Sequence, residues 1–284
     1  HGMCYDENGN LMNIMTHTIA EAMNSVYMKE IRLHQSKNQR HPVCTVCWQR
    51  DDANKDNPVS SSLRSGRSFH SLRNMENIIT FEKAPQRLGE DGYLEKPKLV
   101  SMELRLSNTC NMKCIMCNSQ YSSLWYEDQF QLTGNNYFQI DDKKYFIVKK
   151  DNTYTDDMPE WFGTDRWWEQ FNEAKKTLRH LYIMGGEPFV DKRHAPVLDN
   201  LIESGHSKNI VLEYDTNLSI INEKLMERFS QFKGVWFSAS CDDVGNRYNL
   251  VRFPGNFKTF ETMPVYFYYQ SSKHKYMGNF IFLQ

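Results

Sequence analysis

The chain has 284 residues, 40% of them hydrophobic and 13% aromatic, with 34 Lys and Arg against 35 Asp and Glu for a formal net charge of -1. That length and aromatic content exclude a disordered chain and allow one large α/β domain, or a medium domain with a smaller appendage. The near-neutral balance gives no global basic field for nucleic acid and no acidic solvating tail. No apolar run reaches 18 residues and no signal-peptide pattern opens the sequence, so a cytoplasmic protein without membrane contact is expected. The sequence opens with His1-Gly2-Met3-Cys4 and stops at Phe282-Leu283-Gln284 without a polar tail, and is read as lacking one or both natural ends.

Seven cysteines, an odd number, fall mostly in short C-x2-C and C-x3-C-x2-C spacings. Such spacing points to metal ligation in a reducing compartment and away from a secreted disulfide framework. In chain order, residues 1–95 form an N-terminal cysteine-containing module and bridging segment, and residues 96–284 form a β/α region with an insertion at about 128–165. Thr18-Ile19-Ala20-Glu21 has the form of a capping box, and Ile19, Met23, Val26, Tyr27 and Ile31 continue at helical spacing, which predicts one helix of about four turns. Cys44-Thr45-Val46-Cys47-Trp48 follows, then a polar loop around Pro58.

Leu99 to Leu106 alternates as a strand does and ends directly at a run of three cysteines. Later strands are predicted at Leu181 to Met184, Ile210 to Tyr214 and Val235 to Ser240, with a helix over Ala195 to Ser204 between the first two. This βα repetition predicts a parallel sheet or barrel, with the chemistry at the strand ends. In the insertion, Tyr137 to Ile140 and Lys144 to Val148 flank Asp141-Asp142 as a hairpin would. Past Phe257 the pattern weakens, leaving Val265 to Tyr269 and Asn279 to Leu283 as candidate strands.

Cys110, Cys114 and Cys117 share one tight loop, and three soft thiolates there can take three corners of a cubane iron-sulfur cluster. The fourth iron would lack a protein ligand and be open to a small chelating molecule. A zinc site would want four closed ligands, which three cysteines alone do not supply. Cys110-Asn111-Met112-Lys113-Cys114-Ile115-Met116-Cys117 matches the C-x3-C-x2-C signature and resembles the radical S-adenosylmethionine (radical SAM) enzymes. Met116 departs from the aromatic residue more usual before the last cysteine, a change that bears on packing near adenine.

Met184-Gly185-Gly186-Glu187-Pro188 resembles the same family's G-G-E segment, which contacts the amino group of the cofactor. Gly185 and Gly186 would let the backbone approach a ligand closely, and Glu187 would accept from an ammonium group. Glu213 to Asn217 and Ser238 to Asp243 resemble the next two polar strand ends, with Asn217 suited to hydroxyl groups and Ser238, Ser240 and Asp242 expected on one face of a strand. Cys241 reads as a core or loop thiol. Over residues 98–257 the resemblance implies a partial (β/α)6 TIM-like barrel of radical SAM type, an S-adenosylmethionine-binding 4Fe-4S cluster, and hydrogen abstraction by a 5'-deoxyadenosyl radical. The family's fifth and sixth strand units are not recognisable after Phe257.

Cys4, Cys44 and Cys47 await a further ligand and look like a twitch/SPASM-like auxiliary module, here on the N-terminal side, which would hold a second 4Fe-4S cluster; zinc with His41 is the structural alternative. Such a module implies a peptide or protein substrate, with a small carbohydrate or nucleoside as the alternative, and a reductase, flavodoxin or ferredoxin as electron donor. Trp125, Tyr126, Trp161, Trp167 and Trp168 are candidate walls of a closed site, with packing their commoner fate. A zinc-stapled binding protein without catalysis is the rival from another class.

Overall fold

A computed structural model of the chain describes residues 4–45, 48, 49, 52, 88–134, 136–140, 143–150, 153–221, 223–264 and 278–283. It divides into two compact units, one of residues 1–100 and 163–179, the other of residues 101–162 and 180–284. Among the described residues no helix is long and apolar enough to cross a membrane.

In the first unit the capping box forms as expected: Thr18 accepts from the Glu21 N–H, and the Glu21 carboxylate accepts from the Thr18 N–H at 2.7 Å. The predicted single helix, however, is two, α1 over Ile19–Met23 and α2 over Val26–Ser36. The apolar spacing runs through both, but Asn24 ends the first and Ser25 caps the second through the Met28 N–H. Asn24 is held in this role by the chain at Leu94, whose N–H and carbonyl both bond its side-chain amide. A short 3-10 turn covers Pro42–Cys44.

The second unit is a mixed α/β body around a five-stranded parallel sheet. Its strands are β1 (Ser101–Arg105), β5 (His180–Met184), β6 (Val211–Thr216), β7 (Gly234–Ser240) and β8 (Gly278–Leu283), adjacent in that order, with every pairing parallel. The predicted strands thus agree within a few residues, and Asn279 to Leu283 falls in β8. Val265 to Tyr269 lies outside the described residues. Between β1 and β5 the insertion forms α3 (Trp125–Thr133) and an antiparallel sheet of β2 (Tyr137–Ile140), β3 (Lys143–Lys150) and β4 (Thr153–Asp156). The expected hairpin is therefore a three-stranded meander. Helix α4 (Asp165–Ala174) follows and belongs to the first unit.

Alternation along the strands separates two faces of the parallel sheet. Leu181, Ile183, Leu212, Tyr214, Val235 and Phe237 are fully buried, as are Val197, Leu198 and Leu201 of α5 (His194–Glu203) and Met226 and Phe229 of α6 (Glu223–Phe229). Tyr214 stacks on Phe237 at 5.7 Å, and its hydroxyl meets His194 Nε2 at 2.8 Å. At about 1.5–3 kcal/mol for each large apolar side chain removed from water, this core fixes the strands. The other face carries polar groups: the half-buried Tyr182 hydroxyl donates to Asp215, and buried His180 bridges Ser101 at 2.8 Å and Glu213 at 2.7 Å. These bonds join β1, β5 and β6 across that face.

Candidate functional site

The cysteine loop leaves β1 through Leu106 to Thr109 and is tied down at almost every residue. Ser122 donates to the Met112 carbonyl at 2.7 Å, the Cys117 N–H reaches Cys114 O at 2.9 Å, and the Ser123 N–H reaches Asn108 O at 2.9 Å. From the far side, the carbonyls of Phe253 and Val251 accept from the N–H groups of Lys113 at 2.7 Å and Ile115 at 2.9 Å. Val251 closes α7 (Gly245–Val251), and residues 252–253 lead on towards a helix at residues 257–264. The loop is thus gripped between two segments more than a hundred residues apart, on either side of Cys114.

Residues 185–187 lie against the start of this loop. The Gly186 N–H donates to Ser107 O at 3.1 Å and the Glu187 N–H to Thr109 O at 2.8 Å. Gly185 has φ +155°, and a Cβ there would stand 2.6 Å from Ser107 O; on Gly186 it would stand 2.3 Å from Thr109 O. Besides lining the cavity described next, the two glycines admit the chain's own backbone this closely.

A cavity of about 240 Å³ opens at these strand ends. Its wall brings together Cys110, Cys114 and Cys117, with Met116, Gly185, Gly186, Glu187, Asn217 and Ser240. Of the sequence-predicted residues, Ser238 and Asp242 are not on that wall. Ser238 is half-buried one step down β7, and Asp242 lies past the end of the strand, where the alternation with Ser238 and Ser240 has already stopped. Asp242 instead forms an ion pair with Arg252 at 2.5 Å. Arg252 also lines the cavity, as do Asp215 and Thr216. Cys241 stands outside it, half-buried, its sulfur directed at Asp243 O at 3.3 Å.

Burial dominates the electrostatics. It pushes the Cys110 thiol up to about 11 and raises those of Cys114 and Cys117, with the Arg252 charge opposing it at the latter two. Glu187 is 2% exposed, and burial lifts it to about 7. Its Oε1 accepts from Thr216 Oγ1 at 2.8 Å and the Phe189 N–H at 3.2 Å, and its Oε2 from the Asn217 N–H at 2.7 Å. The carboxylate therefore ties the 185–187 segment to the end of β6, and Oε2 keeps one lone pair beyond that bond. Asn217 in turn donates to Asn111 Oδ1 at 3.0 Å, joining the end of β6 to the cysteine loop.

Among the described residues no three His, Cys, Asp or Glu side chains stand at the separation of single-ion ligands. The donor chemistry of the wall suits an iron-sulfur cluster: three soft thiols, with the Arg252 guanidinium beside Cys114, its Nη1 3.9 Å from Sγ and its Nε buried without a partner. An anionic, sulfur-rich group would meet this guanidinium.

Two residue sets lie elsewhere. Tyr126 and Trp161 line a different cavity of about 310 Å³ between the insertion and residues 106–109, which shares no residue with the cysteine cavity. Trp167 and Trp168 sit on α4, where Trp167 stacks on Phe171 at 5.3 Å. In the first unit, Cys4 and Cys44 are half-buried free thiols close enough for both to act on the Tyr27 hydroxyl, which burial raises, and His41 stands edge-on to Tyr27 at 5.9 Å. Cys47 lies outside the described residues.

Compared with solved structures, the chain is similar to anSMEcpe with bound AdoMet and the Kp18Cys peptide, at 21% identity and TM-score 0.38, over 64% of this chain and 42% of that one. It is also similar to Streptococcus suis SuiB bound to the precursor peptide SuiA, at 13% identity and TM-score 0.40, over 95% and 52%. SuiB bound to S-adenosylmethionine matches at 12% identity and TM-score 0.39, over 96% and 51%. The chain spans about half the length of these proteins, or less. No protein-family model and no curated protein matches it.

Arg252 and Tyr248 were missed by sequence reasoning. Nothing in Tyr248-Asn249-Leu250-Val251-Arg252-Phe253-Pro254-Gly255 marks either residue: Arg252 comes within 3.9 Å of Cys114 Sγ only through the fold, and Tyr248 packs on Phe257 and Phe260.

Proposed function

We propose that the chain carries the catalytic core of a radical SAM enzyme. The observation that carries this reading is the convergence on one cavity of the C-x3-C-x2-C loop from the end of β1 with the Gly-Gly-Glu segment from the end of β5 and polar groups from the ends of β6 and β7. In this reading Cys110, Cys114 and Cys117 hold a 4Fe-4S cluster and the cavity takes S-adenosylmethionine. When bound and reduced by one electron, this pair supplies a 5'-deoxyadenosyl radical for hydrogen abstraction.

The chain's own residues then have distinct tasks. Gly185 and Gly186 seat the edge of the cavity against Ser107 and Thr109. Glu187 fixes Thr216 and Asn217, and the spare lone pair of Oε2 is the acceptor offered to an ammonium group. Asn217 and Ser240 face hydroxyl and carboxylate groups, and Met116, 56% exposed on the same wall, covers an apolar ring face. Ser238 and Asp242 act from behind this wall. The substrate is a peptide or protein, inferred from the auxiliary cysteines Cys4, Cys44 and Cys47, which we assign to a second 4Fe-4S cluster, and a reductase, flavodoxin or ferredoxin supplies the electron.

The test is equilibrium binding of S-adenosylmethionine to anaerobically reconstituted protein. Wild type should bind, Glu187→Ala should keep its iron and bind more weakly, and Cys114→Ala should lose cluster and binding together. Equal binding by all three would remove the cavity from the reading, and zinc in place of iron would favour a stapled binding protein.

A further inference from the structure

Arg252 is delivered to the cysteine loop by its own backbone neighbours. The carbonyls of Val251 and Phe253 hold the N–H groups of Ile115 and Lys113, so the residue between them is fixed opposite Cys114. Its side chain is 13% exposed and turned inward. Nη2 pairs with Asp242 at 2.5 Å, Nη1 lies 3.9 Å from Cys114 Sγ, and Nε is buried without a partner. One helical turn earlier, Tyr248 is 1% exposed, and its hydroxyl is likewise buried without a partner. The Tyr248 ring is wedged against Phe257 and Phe260 at 5.6 and 5.1 Å, which leaves the hydroxyl little freedom to turn away. Burial pushes that hydroxyl up to about 12, with the Arg252 charge opposing it.

Buried donors left unpaired are costly, and the Arg252 guanidinium keeps one such donor, Nε, while its Nη1 lies 3.9 Å from Cys114 Sγ. No Lys and no other Arg lines the cavity among the described residues. Resting on the function proposed above, we infer that Arg252, with Tyr248 behind it, is a positioning residue for the metal centre: it donates hydrogen bonds to sulfur at the Cys114 corner and so favours the reduced, more negative form of the cluster. Outer-shell donors and a fixed positive charge raise a cluster's reduction potential. Asp242 moderates the effect by sharing the guanidinium charge.

The experiment is an anaerobic redox titration, followed by electron paramagnetic resonance, of the reconstituted full-length protein without S-adenosylmethionine. Arg252→Gln should lower the potential by at least the equivalent of a tenfold change in the reduction equilibrium, about 59 mV for one electron. Tyr248→Phe, which keeps the ring packing, should shift it in the same direction by less, and Arg252→Lys, which keeps the charge without the planar fork, should fall between wild type and Arg252→Gln. Asp242→Asn should move it the other way. Unchanged potentials in Arg252→Gln and Tyr248→Phe, with wild-type iron and sulfide content, would overturn the inference alone; weakened S-adenosylmethionine binding with an unmoved potential would assign Arg252 to the ligand's carboxylate instead. A wild-type protein that takes up no iron and sulfide would overturn the proposed function together with it.

Discussion

Gly186 faces Thr109 so closely that a Cβ on the glycine would stand 2.3 Å from the threonine carbonyl oxygen, with Asn108 O at 2.5 Å. Both obstacles are backbone, held just past the β1–β5 pairing by the Gly186 N–H on Ser107 O and the Glu187 N–H on Thr109 O, and neither can swing aside as a side chain would. Gly186→Ala should therefore destabilise the protein by about 1–3 kcal/mol or more, as overpacking does, in chemical denaturation. It should also disturb the placement of Cys110, one residue after Thr109, and reduce iron uptake. A variant as stable and iron-rich as wild type would show that these strand ends are not in contact.

Glu187 makes the stability depend on pH. Burial holds its folded pKa at about 7 against an ordinary 4.5, so the folded chain retains a proton that the unfolded chain gives up. Stability from this group is full below about pH 4.5, falls as pH rises towards 7, and is level above, with a slope of up to about 1.4 kcal/mol per pH unit. Glu187→Gln should flatten that slope. Its amide also turns a donor towards groups that already donate, so it should be less stable than wild type at the acid end. Denaturant titrations at several values between pH 4.5 and 8 compare the two slopes; equal slopes would show that Glu187 is ionised in the folded protein throughout.

Tyr126 anchors the insertion. Its ring stacks on Phe138 at 5.8 Å, and its hydroxyl donates to Asp156 at 2.5 Å while accepting from Asn108 Nδ2 at 2.6 Å. Tyr126→Phe keeps the stacking and strands two polar partners, so a loss of about 1–3 kcal/mol is expected in equilibrium unfolding. No measurable loss would mean that water replaces the hydroxyl.

Strands β5 and β7 could be read almost to the residue, because each is a short apolar run that ends in glycine or polar residues. The end of α1 was hidden because the apolar spacing of Ile19, Met23, Val26 and Ile31 continues across the break, although Ser25 is itself a helix-start signal. Strand β4, Thr-Tyr-Thr-Asp, is short and polar, and only its pairing with β3 makes it a strand. In the site, Cys110, Cys114, Cys117 and Gly185 to Glu187 carry local motifs and were readable. Arg252 and Tyr248 carry none; Arg252 reaches Cys114 only through the fold, and Tyr248 is buried against Phe257 and Phe260.

Replacing single thiols separates the two cysteine sets. Cys117→Ser should remove iron and sulfide equivalent to one cluster from the reconstituted protein, and Cys44→Ala should remove a second, independent equivalent of about four irons, the stoichiometry of a cubane centre. Loss of zinc from the Cys44 variant would mark the first-unit cysteines as a structural zinc site.

The most direct measurement is 5'-deoxyadenosine formation, read by mass spectrometry, after anaerobic reconstitution with iron and sulfide and addition of dithionite and S-adenosylmethionine. The expected result is product from wild type and none from Cys114→Ala. Iron-loaded wild type that binds S-adenosylmethionine but yields no 5'-deoxyadenosine, with or without candidate peptides, would contradict the assignment of a radical SAM core.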